Sequence, residues 1–74
     1  MTTIQPVRRL ARRHALVELF LVRVLDLDPD EAPAEADALQ HAVSERLLAR
    51  IDVLLGRPER DLHGDLIPRL DGSS

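Results

Sequence analysis

The 74-residue chain contains no cysteine, lysine, tyrosine or tryptophan, and Phe20 is its single aromatic residue. Without cysteine, neither disulfides nor thiolate metal sites can stabilise the fold. Leucine and alanine dominate the apolar residues, which favours helices over strands. A chain of this length forms at most one domain with a small core. The composition therefore predicts a single all-α domain over residues 1–74.

The basic residues are ten arginines, and the net charge is only −3. The arginine-only usage indicates a high-GC, bacterial genome, and the high aliphatic content argues against disorder. The apolar stretch 15–27 is too short to span a bilayer and is interrupted by Glu18 and Arg23. It is not followed by a small-residue cleavage site of the kind that ends a signal peptide. We therefore expect a cytoplasmic location and no transmembrane segment.

The apolar periodicity predicts a helical hairpin with a short C-terminal arm. Steps of three and four between apolar residues indicate a first helix at about 6–26 and a second at about 34–55. The acidic, proline-containing segment 27–33 forms the turn between them. At 57–70 we expect a short helical turn or an arm that folds back onto the hairpin, and at 71–74 a frayed tail.

Proline and glycine mark the ends of the second helix. Either Asp28-Pro29 caps it, or Pro33 opens it. Gly56, followed by Pro58, is a strong stop signal.

The first helix has more apolar surface than one neighbouring helix can cover. Its seam consists of Val7, Leu10, His14, Val17, Leu21 and Val24. This spare surface predicts self-association, for example of two hairpins into a four-helix bundle, or docking on a protein partner. The interface residues that we predict are Val17, Phe20, Leu21 and Val24, with Arg9, Arg12 and Arg13 as a charged rim.

An arginine cluster opens the first helix and suggests an alternative function. Arg8, Arg9, Arg12 and Arg13 lie in a part of the chain that is almost free of acids. Such a cluster can bind nucleic acid, an anionic membrane surface, or the acidic tail of a second copy. The lack of aromatic residues weighs against recognition of nucleic acid by stacking.

Two patterns could suggest metal ligands. The acidic turn starting at Asp26 has the oxygen spacing of a calcium loop, but Glu31 stands where glycine is needed, so we interpret it as a helix-start cluster. His14/Glu18 and His41/Glu45 are spaced i,i+4, which we interpret as ordinary helix-surface pairs. His14 is also expected to be a polar seam residue that fixes register. No metal or cofactor is predicted.

Catalysis has little support in the sequence. Ser44 is the only serine outside the tail, and it is expected to lie in the middle of the second helix, bonded to its own backbone. The glycines stand singly, so no phosphate-binding loop is present. The chain is predicted not to be an enzyme.

Several segments resemble the gas vesicle protein K family. Leu16-Val-Glu-Leu-Phe-Leu21 is similar to its Leu-Val-x-Leu-x-Leu helix, and residues 45–55 to its later helix. The stretch Gly56 to Pro68 is similar to its tail. The resemblance implies an accessory role in assembling a protein shell. Residues and resemblance together predict a non-enzymatic helical interaction or assembly module.

Overall fold

The computed structural model describes the backbone of residues 4–68 and the side-chain surroundings of residues 8–68. Its helices are α1, Ile4–Arg23, α2, Ala32–Leu39, and α3, Glu45–Leu54. Within the described residues, the only β-type pairing is one isolated antiparallel bridge. The predicted all-α class is therefore confirmed. The side chain of Val7, the end of the predicted arm beyond residue 68 and the predicted tail lie outside the described residues.

The long first helix ends close to where the periodicity predicts. Arg23 is its last residue, and Asp26 follows in the left-handed region with φ of 59°. The chain then reverses, so that the Leu27 amide donates to the Leu21 carbonyl at 2.9 Å. Of the two predicted openings for the next helix, the structure uses Pro33, which lies in the first turn of α2.

The predicted continuous second helix of 34–55 is wrong, because the chain breaks between α2 and α3. Ser44 adopts an extended conformation with φ of −71° and ψ of 161°, and its hydroxyl accepts from the Leu47 amide at 3.0 Å. Ser44 is thus the N-cap of α3 and does not lie in mid-helix. A serine side chain satisfies one of the amides that a helix start leaves unpaired, so it offers the chain a new start without glycine or proline.

We expect Ser44→Ala to lower the free energy of unfolding by about 1 kcal/mol, because the Leu47 amide loses its partner. Urea denaturation followed by circular dichroism measures the change. Ser44→Asp is the matched control, since a carboxylate caps equally well. Equal stability of all three proteins would contradict the capping role.

The middle of α1 is covered on all sides. Five successive residues, from Ala15 to Leu19, are buried, and both α2 and α3 pack against α1. Ala32 and Ala36 are fully buried, and their small side chains allow α2 to approach α1 closely. Leu48 and Ile51 cover α1 from α3. The apolar surface that predicted a second chain is therefore covered in its middle by the chain's own short helices.

The predicted stop after the second helix is confirmed. Gly56 has φ of 82°, and the amides of Gly56 and Arg57 donate to the carbonyls of Val53 and Asp52 at 2.9 and 2.8 Å. This left-handed cap satisfies the last carbonyls of α3.

Of the two alternatives for the C-terminal segment, a helical turn or an arm, the structure has the arm. The arm folds back through an antiparallel bridge between Arg60 and Leu66, and the Ile67 amide donates to the Glu59 carbonyl at 2.8 Å. Ile67 is 9% exposed and joins the core of α1. The bridge closes a loop of residues 61–65, and this loop lies near the buried Glu18 of α1.

Candidate functional site

A carboxylate is buried inside the apolar core of α1. The Glu18 side chain is only 2% exposed and lies between Val17 and Leu19, which are both fully buried. Burying a charged carboxylate is costly unless it is paired or coordinates a cation. The groups around Glu18 are therefore the most informative polar contacts of the molecule.

Two imidazoles face the same oxygen of Glu18. His14 Nε2 lies 3.5 Å from Glu18 Oε2, one helical turn earlier on α1. His63 Nε2 lies 3.9 Å from the same oxygen and comes from the arm. The buried carboxylate thus joins two parts of the chain that are 45 positions apart.

The other ring nitrogen of His14 contacts α2. Nδ1 lies 2.7 Å from Gln40 Oε1 and 3.3 Å from Asp37 Oδ1. Gln40 is 7% exposed, whereas the Asp37 side chain is 75% exposed. His14 is therefore the centre of a polar cluster, which we define as His14, Glu18, Asp37, Gln40 and His63.

The loop that carries His63 is fixed by its own hydrogen bonds. Asp61 Oδ1 accepts from the amides of His63 and Asp65 at 2.8 and 3.0 Å. Arg60 donates to the Gly64 carbonyl at 2.7 Å, and Gly64 supplies the left-handed turn with φ of 86°. The backbone of this loop is therefore held while the His63 side chain remains 63% exposed.

The polar cluster is a chain of pairwise contacts. In the part of the chain that the structure describes, no three His, Cys, Asp or Glu side chains form a group that could hold a metal ion as they stand. The donor types are nevertheless those of a metal site, since imidazole and carboxylate bind divalent transition metals. Glu18 and Gln40 are held by burial, and His63 and Asp37 are exposed enough to reorient.

The interpretation of both i,i+4 pairs as surface pairs is wrong. Glu18 is buried beside His14, because α2 and the arm cover that face of α1. His41 and Glu45 do not pair, since the break before α3 separates them, and Glu45 instead meets α1. The acidic turn forms a local structure, in which Asp28 Oδ1 accepts from the Asp30 amide at 2.9 Å.

The residues that were predicted as an interface divide between core and surface. Val17 is fully buried and Leu21 is 6% exposed, both within the chain's own core. Phe20 is half-buried against that core, and Val24 is 46% exposed. Only Val24, with part of Phe20, can therefore contact a second chain without rearrangement, and their role in an interface stays a prediction.

The predicted charged rim ties α1 to α3. Arg9 and Arg13 both contact Glu45 Oε2, at 2.8 and 2.7 Å, and Arg12 contacts Asp52 at 3.5 Å. The side chains of Arg12 and Arg13 are only 18% and 12% exposed. These arginines satisfy acids of the same chain, so they offer little positive charge to nucleic acid or to a membrane.

Comparison with known families matches most of the chain to one domain family. Residues 5–69 match the family described as "Iron dependent repressor, metal binding and dimerisation domain". This match spans most of the chain, and the chain belongs to this family.

The individual relatives are transcriptional regulators. An uncharacterised HTH-type transcriptional regulator of Methanocaldococcus jannaschii is 33% identical over 52 residues, which cover 70% of this chain and 42% of the relative. A solved manganese-dependent transcriptional repressor is 49% identical with a TM-score of 0.87, over 99% of this chain and 41% of its own. A manganese-dependent repressor in complex with manganese is 53% identical with a TM-score of 0.87, over 92% and 32%.

The manganese regulator SloR shares the same fold. It is 35% identical to this chain with a TM-score of 0.85, and the match covers 93% of this chain and 33% of SloR. The chain thus spans only about a third to two fifths of the length of its relatives.

The family assignment overturns one functional prediction and confirms another. The resemblance to gas vesicle protein K is wrong, and so is a role in shell assembly, because the matching family is an iron-dependent repressor domain and the relatives are transcriptional regulators. The similarity rested on leucine spacing and on scattered acidic and proline residues, which unrelated amphipathic helices share. The prediction that the chain is not an enzyme is confirmed, since the family consists of repressor domains.

Sequence reasoning missed the polar cluster because its members are far apart in the chain. One signal was present: Glu18 and His14 both lie on the apolar part of α1, where a charged residue is unexpected.

None of the helices in the described residues is both long and apolar enough to cross a bilayer.

Proposed function

We propose that this chain is a manganese-binding and dimerisation domain of a metal-dependent transcriptional repressor. The observation that carries the proposal is the buried Glu18 carboxylate. One of its oxygens faces the Nε2 atoms of both His14 and His63. The family description and the manganese-dependent relatives support the choice of a divalent metal.

The contacts of His14 support a cation at this position, because its Nδ1 lies 2.7 Å from the Gln40 Oε1 acceptor. When Nδ1 carries the proton that it donates to Gln40 Oε1, Nε2 bears a lone pair. That lone pair then faces a carboxylate oxygen 3.5 Å away, so two acceptors oppose each other in a buried place. A divalent cation would satisfy both acceptors, and the opposing groups thus have the chemistry of metal ligands.

The ligands that we propose are His14, Glu18 and His63, with Asp37 as a further carboxylate. Asp37 and His63 are 75% and 63% exposed, so their side chains can rotate towards a metal at low cost. Gln40 keeps the His14 ring in orientation from the opposite side. The metal supplies a double positive charge, which would join α1, α2 and the arm.

Dimerisation is the second part of the proposal. Large apolar side chains remain exposed on every helix, which is the surface that a second copy needs. They include Leu10, Val24, Leu39, Leu47, Val53 and Leu54.

Binding of DNA would belong to the whole repressor and not to the arginine cluster, because Arg9, Arg12 and Arg13 are paired within the chain. The predicted cytoplasmic location agrees with this function.

Isothermal titration with MnCl₂ and light scattering test the two parts separately. We expect saturable Mn²⁺ binding and the mass of a dimer. Val24→Asp tests whether the predicted interface includes Val24, and Leu66→Asp is the control at an exposed position on the arm, outside the helices. A monomer that binds no Mn²⁺ at millimolar concentration would refute the proposal.

A further inference from the structure

We propose that Arg13 is a positioning residue, which holds the end of α2 so that Gln40 orients His14. The inference rests on the proposed metal-binding function, but it concerns contacts that exist without a metal. Besides its ion pair with Glu45, the Arg13 guanidinium donates to two backbone carbonyls.

Arg13 binds backbone carbonyls in the junction between α2 and α3. Its Nε and Nη2 donate to the Gln40 carbonyl at 3.0 and 2.7 Å, and Nη2 also donates to the Val43 carbonyl. Its Nη1 donates to Glu45 Oε2 at 2.7 Å. The guanidinium therefore spans the whole junction between α2 and α3. Its planar, five-donor fork can hold several acceptors at once, which the single ammonium group of lysine cannot do in the same geometry.

Adjacent residues of α1 hold the backbone and the side chain of Gln40, the residue that caps the end of α2. Arg13 binds the Gln40 carbonyl, and His14 Nδ1 meets the Gln40 side-chain oxygen at 2.7 Å. Successive side chains on a helix point about 100° apart, so these two reach Gln40 from different sides. Loss of the backbone contact would let the end of α2 move and would carry the Gln40 amide away from the imidazole.

Arg12 is a natural control for this role. It is the neighbouring arginine on α1 and is about as buried as Arg13, with exposed fractions of 18% and 12%. Its hydrogen bond and ion pair go to Asp52 on α3, at 3.5 Å. Removing Arg12 therefore weakens the packing of α1 on α3 but leaves Gln40 in place.

The test compares Arg13→Ala and Arg13→Lys with Arg12→Ala and Arg12→Lys. In the metal-free proteins, NMR measures the nuclear Overhauser effect between the His14 ring and the Gln40 side chain, and hydrogen exchange measures protection of the Gln40 amide. We expect both to be reduced in the Arg13 variants and preserved in the Arg12 variants. We also expect Mn²⁺ affinity to fall about 10–100-fold for Arg13→Ala, as for other residues that orient a metal ligand, and less than about threefold for Arg12→Ala.

Each outcome is decisive. If Arg13→Ala does not fold, the lysine pair decides, because lysine keeps the charge but not the fork. An unchanged His14–Gln40 contact in the folded Arg13 variants overturns the positioning role, as does an equal loss of that contact in the Arg12 variants. Failure of the unmodified chain to bind Mn²⁺ would overturn the proposed function, while the metal-free NMR result would still decide the role of Arg13.

Discussion

Glu18→Gln should reduce Mn²⁺ affinity by ~100-fold or more. Loss of an outer-shell partner alone costs about 10–100-fold, and Glu18 is proposed to be a direct ligand. Its carboxylate is the only buried charged group among the described residues, and it faces both imidazoles. Glutamine keeps the size of the side chain but removes the negative charge that a cation requires. Isothermal titration of the two proteins gives the ratio of affinities.

The metal-free Glu18→Gln chain is expected to remain folded. Glutamine avoids the cost of a buried charge and can still donate to or accept from the imidazoles. Glu35→Gln is the matched control, because Glu35 lies exposed on α2 and loses the same charge. Equal Mn²⁺ affinities for Glu18→Gln and Glu35→Gln would show that the buried carboxylate is not a ligand.

Leu16→Ala should unfold much of the population at room temperature. Leu16 is fully buried in the middle of α1, and truncation of such a leucine costs about 3–5 kcal/mol in lost burial and residual cavity. A domain of this size has only about 3–5 kcal/mol of net stability when no disulfide supports it. One substitution is therefore comparable to the whole free energy of unfolding.

Thermal and urea denaturation of the metal-free chain measure this effect. Leu66→Ala provides the comparison, since Leu66 is 67% exposed and its truncation should change stability by no more than about 0.5 kcal/mol. Similar melting curves for Leu16→Ala and Leu66→Ala would mean that α1 is not the centre of the core. Added Mn²⁺ should partly restore folded Leu16→Ala, because a ligand that binds only the folded state stabilises it.

The sequence predicted the helical class and the first helix because these depend on local periodicity. Alternating steps of three and four locate α1 to within a few residues of its observed end at Arg23. The Gly56 stop was equally readable, since a left-handed residue after a helix favours glycine. The break between α2 and α3 at Ser44 could not be predicted from the apolar spacing, because that spacing continues across it. Only the capping hydroxyl of Ser44 marks the start of α3.

The candidate site could not be assembled from the sequence because it depends on the return path of the arm. His63 lies near Glu18 because the chain turns at Gly56, after α3, and again at Gly64, next to His63. These two turns bring the arm back to α1. The break between α2 and α3 likewise decides that Glu45 meets Arg9 and Arg13 instead of His41. The excess of arginine at the start of α1 suggested a surface that binds anionic partners. The acidic partners of Arg9, Arg12 and Arg13 instead lie on α3 of the same chain.

Anomalous diffraction at the manganese edge, from crystals grown with MnCl₂, tests the central claim most directly. We expect a peak within coordination distance of the Glu18 carboxylate, with the imidazole of His14 or His63 as a further ligand. A peak only at the acidic turn of Asp28 and Asp30, or no peak at saturating Mn²⁺, would contradict it.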